Sequence, residues 1–199
     1  MNREIVWTPT RWPGCEHLHV RSEGTEVTAH GMIIAVLDKT PLRVSYEITC
    51  DDAWRTRRLA IGLHRGPTTT LTRHDDGRWH ESDGTVRADL AGCIDVDIAL
   101  TPFTNTLPIR RLQLKPGESA DLRAVYIQFE PTLTVATSDQ RYTRLATEAG
   151  AIYRYQSGTF TADLEVDTDG IVTEYPGLWD RALAPDADGR DAAGEFSGD

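Results

Sequence analysis

The sequence predicts an all-β domain: a single antiparallel β-barrel or half-barrel of many short strands, with little helix. Three observations lead there. Apolar and polar residues alternate with period two in several stretches, turn signals separate those stretches at short intervals, and no amphipathic stretch runs to three helical turns. Regular short strands of this kind fit an antiparallel sandwich or barrel.

The strands come first. Val44, Tyr46, Ile48 and Cys50 share one face, opposite Arg43, Ser45, Glu47 and Thr49. Val125, Ile127 and Phe129 alternate with Ala124, Tyr126 and Gln128, and Phe160, Ala162, Leu164 and Val166 alternate with Thr161, Asp163 and Glu165. Branched and aromatic side chains suit such half-buried strands. Asp75-Asp76-Gly77, Ser82-Asp83-Gly84, Lys115-Pro116-Gly117-Glu118 and Thr168-Asp169-Gly170 read as hairpin connections, because Asp-Gly readily supplies positive φ. The best helical stretch is Tyr142–Ala149, capped by Gly150, and it is short.

Residues 1–183 make the folded β domain. Residues 184–199 form an acidic tail rich in Asp, Ala and Gly, expected to be disordered because it has too little apolar surface to offset the entropy of ordering. The chain carries a net charge of −10, of which the tail supplies −4. Nucleic acid is not an expected partner, since binding it needs clustered cations. Apolar content is 39%, below the usual figure of about 45–50%, which suits a barrel with a partly polar inside. Cys15, Cys50 and Cys93 are odd in number and far apart, so no disulfide framework is expected. The N-terminus shows no apolar leader and no run reaches 18 apolar residues, so a cytoplasmic location without a transmembrane segment is the default expectation.

Three stretches carry the chemistry. In Gly92–Ile98, Cys93, Asp95 and Asp97 fall on one strand face and Ile94, Val96 and Ile98 on the other. The two carboxylates then lie about 7 Å apart at Cα, from a rise of roughly 3.3 Å per residue. Such a pair can hold a divalent cation, accept hydrogen bonds from sugar hydroxyls, work as acid and base, or simply face solvent. Asp is disfavoured in strands, so two in alternation call for Arg or hydroxyl partners. Thr101–Leu112 follows. Its prolines Pro102 and Pro108 and its Asn105 read as a rigid, irregular loop that brings hydroxyls, an amide and the guanidiniums of Arg110 and Arg111 beside the acidic strand. These arginines serve either a ligand or a structural network with Asp95 and Asp97. In Asp51–Arg58, Trp54 can stack on a sugar ring or lipid head while Arg55 and Arg57 hold an anion; a plain turn and surface strand is the alternative. Trp12, Trp79, Tyr126, Tyr142, Tyr153, Tyr155 and Trp179 are available to line a cavity or fill a core.

No nucleophile elbow, phosphate-binding loop, dinucleotide fingerprint or zinc-binding H-E-x-x-H is present. His17 and His19 share a face, with no third ligand placed by spacing.

Four runs in order carry a resemblance: Cys50 to Arg57, Gly92 to Ile98, Pro102 to Leu112, and Val166-Asp167 to Tyr175-Pro176. On these the chain resembles a bacterial glycolipid-binding family long catalogued as a domain of unknown function, over about Trp12 to Arg181. The resemblance implies an antiparallel, barrel-like fold likened to lipoprotein carriers, and the binding of a glycolipid or similar amphiphile. It implies no catalytic residues. The candidate ligand set is Trp54, Arg57, Asp95, Asp97, Asn105, Arg110, Arg111, Tyr126 and Tyr153, with no metal ligand and no cofactor assigned. Binding in the concave face is the leading reading. An enzyme acting on a sugar or lipid head through Asp95 and Asp97 is the second, and a structural or dimerisation module the third. The oligomeric state is not legible.

Overall fold

The computed structural model describes residues 1–129, 132–147 and 150–182. The expected disordered tail, 184–199, lies outside them. The first half of the chain is a meander: β1 (Asn2–Pro9), β2 (Gly14–Glu23), β3 (Glu26–Leu37), β4 (Thr40–Asp51), β5 (Thr56–Leu63), β6 (Thr68–Arg73) and β7 (Trp79–Glu81). After β8 (Asp95–Ile98) and the helix α1 (Thr106–Leu112), the single α-helix among the described residues, a second meander runs through β9 (Ser119–Gln128), β10 (Thr134–Arg144), β11 (Ala151–Ser157) and β12 (Phe160–Val166). It ends with β13 (Val172–Tyr175) and β14 (Trp179–Ala182).

These strands form one 14-stranded sheet in the order 7-6-5-4-3-2-1-14-13-12-11-10-9-8. The two meanders join where β1 pairs with β14, Val6 opposite Ala182 and Trp7 opposite Arg181. All-β is therefore correct, and of the barrel or half-barrel expected the closed barrel is ruled out: the sheet is open, with β7 and β8 at its edges. These edge strands are only three and four residues long and do not pair with each other. Trp79 Nε1 donates to the carbonyl of Cys93, at 3.0 Å. Nor is the sheet wholly antiparallel. β8 runs parallel to β9, because residues 99–118 form a helical crossover between them.

Period-two burial follows the sequence. Val44, Tyr46, Ile48 and Cys50 are buried along β4, and Gly77, Gly84 and Gly170 take the positive φ expected of their turns. Gly117 does so too, but leads from the helical crossover into β9 and closes no hairpin. The Tyr142–Ala149 helix does not form. β10 continues through Arg144, with Gln140 and Tyr142 buried on its inner face; residues 148 and 149 lie outside the described residues. The expected loop at 101–112 is instead a 3-10 turn, Phe103–Asn105, running into α1. Pro108 is accommodated because it sits in the first turn, whose N–H groups have no intrahelical partner. Phe103, Leu107 and Ile109 plug the buried face of the sheet.

The inner face is uneven. Around β1–β7 it is apolar apart from Glu16, Tyr46 and Thr56; around β8–β14 it carries Asp95, Gln140, Tyr142, Tyr153, Tyr155 and Tyr175. No described helix is long and apolar enough to cross a membrane. The three cysteines are unpaired.

Candidate functional site

β8 lies against the plug, and the two ends of the plug deal with its two aspartates differently. Arg111, in the last turn of α1, forks Asp95 with Nε 2.9 Å from Oδ1 and Nη2 2.6 Å from Oδ2. Asp95 is 1% exposed, so this pair is a structural tie between helix and strand. Asp97 meets neutral donors only. Its Oδ2 accepts from Gln140 Nε2 at 2.6 Å and from the Tyr155 hydroxyl at 3.3 Å, and its Oδ1 accepts from the Thr104 hydroxyl at 3.3 Å.

The remaining surface of Asp97 faces a cavity of about 280 Å³. Thr101, Asn105 and Tyr126 contribute polar wall, and Tyr155, Phe160, Tyr175 and Trp179 the aromatic wall. Asn105 is held in place by donating to the Tyr142 hydroxyl at 2.8 Å. The rings form a file with centroid spacings of 5.3 Å from Tyr142 to Tyr155, 6.1 Å to Phe160, 6.3 Å to Tyr175, 5.2 Å to Trp179 and 5.3 Å to Trp12. Burial raises the pKa of Asp97, and burial together with the Asp97 charge raises those of Tyr126, Tyr155 and Tyr175. The cavity thus resists added negative charge and favours hydroxyl-bearing neutral groups.

The candidate ligand set therefore divides. Asp97, Asn105 and Tyr126 share this cavity. Arg110 and Tyr153 line a different one, with Trp54 beneath Arg110 at 5.1 Å from its ring centroid. Arg57 stays at the surface, bridging Asp51 and Asp75 at 3.1 and 2.9 Å. Asp95 and Arg111 satisfy each other. Sequence reasoning missed Gln140, Phe160 and Tyr175; the period-two phase of Phe160 with Leu164, and of Gln140 with Tyr142, was a usable signal for the inner face. Among the described residues no group of three or more His, Cys, Asp or Glu is arranged to hold a metal ion.

A family model described as "Putative glycolipid-binding" matches residues 4–181. The chain belongs to that glycolipid-binding family. The match spans both meanders and the plug, and so takes in the whole Asp97 cavity. The fold is also similar to the crystal structure of a DUF1089 family protein from Pseudomonas aeruginosa, with a TM-score of 0.72 and 34% identity over 84% of this chain and 92% of that one. No curated protein matches this member of the family.

Proposed function

We propose that the protein is a non-catalytic binding protein for a glycolipid or similar amphiphile, whose hydroxyl-bearing head enters the cavity at Asp97. One observation carries this reading: a carboxylate with only neutral donors around it sits in the wall of a cavity otherwise lined by aromatic rings. Aromatic faces pack on the C–H faces of a sugar ring while a fixed carboxylate and amide orient its hydroxyls. The volume, about 280 Å³, lies just below the roughly 300–1,000 Å³ usual for ligand sites, which fits a head group and leaves the lipid chain outside. Phe160, 39% exposed, offers apolar surface at the mouth. The family's description agrees with this class of ligand.

An acid–base mechanism shared by Asp95 and Asp97 has less support. Two carboxyls must flank a scissile glycosidic bond, whereas here Asp97 lines the cavity and Asp95 is closed off by Arg111. The test is fluorescence titration of short-chain glycolipids against matched lipids lacking the sugar. Binding that needs the sugar, weakened about tenfold in Tyr155→Phe at an unchanged unfolding midpoint, supports the reading; equal binding of both lipids contradicts it.

A further inference from the structure

A second cavity, of about 700 Å³, lies at the C-terminal end of α1. Arg110 and Arg144 line it together with Gln113, Tyr153 and Gly170. We infer that this cavity is a phosphate site, with Arg110 and Arg144 as the binding groups. The inference stands independently of the sugar reading of the Asp97 cavity.

The first ground is the state of these two cations. Several other arginines in this acidic chain meet carboxylates closely: Arg55, Arg87, Arg111 and Arg154 do so at 2.6–2.8 Å. Among the described residues Arg110 has no hydrogen-bond or ion-pair partner. Arg144 donates from Nη1 to the Leu114 carbonyl at 3.0 Å, and its Nε is buried with no partner. A buried, unmet guanidinium N–H is costly unless a ligand supplies the acceptor.

The second ground is that both guanidiniums are held by ring faces. Arg110 lies over Trp54 at 5.1 Å from the centroid, and Arg144 over Tyr153 at 6.0 Å. Ring faces position a cation without using its N–H donors, so the forks stay available to oxygen acceptors. Trp54 holds a φ of +61°, a conformation that is costly for a bulky residue and recurs at ligand clamps. On the other side the Arg110 stem crosses Gly170, where a Cβ would stand 3.0 Å from Cδ. The arginine is thus clamped between a strained tryptophan and a glycine.

The third ground is charge. Asp167 is the carboxylate on this wall, and it is already engaged. Its Oδ1 accepts from the backbone N–H groups of Asp169 and Ile171 at 3.0 Å, and its Oδ2 accepts from Arg181 at 2.7 Å. Two positive charges are left facing the cavity, the opposite preference to that of the Asp97 cavity. A phosphate group satisfies both forks, whether as free phosphate or as the head of a phospholipid.

The test titrates inorganic phosphate into the isotope-labelled full chain at constant ionic strength and follows the arginine Nε–H resonances. Saturable shifts are expected at Arg110 and Arg144 and not at Arg154, which is paired with Asp163 on the outer face. Arg110→Gln and Arg144→Gln each lower the affinity at least about tenfold. A second arm uses dihexanoyl phosphatidic acid below its micelle concentration. Competition with phosphate at higher affinity identifies a lipid head as the source; phosphate binding without competition identifies the free anion. Absence of saturable shifts at both arginines with either probe overturns the proposal. So does a phosphate affinity unchanged in folded Arg110→Gln and Arg144→Gln.

Discussion

Arg111 and Asp95 form a two-pronged ion pair, at 2.9 and 2.6 Å, that ties the last turn of α1 to β8. Asp95 is almost wholly enclosed, with 1% of its side chain exposed against 16% for Arg111. Removing one partner strands the other in a poorly solvated place. Asp95→Ala is therefore expected to cost about 3–5 kcal/mol, while an Asp95→Leu, Arg111→Met double variant recovers most of the loss. Urea unfolding of the three proteins checks this.

Glu16 is the clearest source of pH dependence. It is 1% exposed on the inner face of β2 and accepts a 2.5 Å hydrogen bond from the Tyr46 hydroxyl. Burial pushes its pKa from 4.5 up to about 8, against the smaller opposing effects of hydrogen bonds from Thr101 and Tyr46. The folded state thus binds this proton more tightly than the unfolded state. The stabilisation is fully present below pH 4.5 and is lost as pH rises to about 8. The full loss is ~5 kcal/mol. Glu16→Gln, which keeps an acceptor for Tyr46, is expected to flatten this dependence and to be the more stable protein at pH 8. Urea midpoints at pH 5 and pH 8 measure the crossing.

Gly31 makes that arrangement possible. A Cβ there would stand 2.1 Å from Cε1 and Cζ of Tyr46, so the ring lies directly on the glycine of the neighbouring strand. Gly31→Ala is expected to displace the Tyr46 ring and cost about 1–3 kcal/mol, the usual range for overpacking. A midpoint unchanged from the parent protein would show that the ring can move freely.

Particular residues explain what the sequence could and could not reveal. β4 was legible because branched and aromatic residues hold one phase from Val44 to Cys50. Glu16 was overlooked although it falls in phase with Leu18 and Val20, the mark of an acid pointing into a core. α1 was hidden by Pro108, a residue that breaks helices everywhere except the first turn. Asp95 and Asp97 were placed on one face from period two alone, but their separate fates depend on which end of the helical crossover each one meets, Arg111 in α1 for Asp95 and Thr104 in the 3-10 turn for Asp97. The aromatic cavity was the least legible part. Tyr155, Tyr175 and Trp179 come from three different strands, and only the strand order, which sets β11, β12, β13 and β14 side by side with Tyr175 opposite Trp179, brings them together.

The central claim is that the Asp97 cavity holds the head of an amphiphile, and native mass spectrometry of the gently purified protein tests it most directly. A discrete adduct is expected, one that organic extraction releases as a sugar-bearing lipid and that is depleted in Trp179→Ala. A clean apo mass, with no thermal shift across a glycolipid panel, would contradict it.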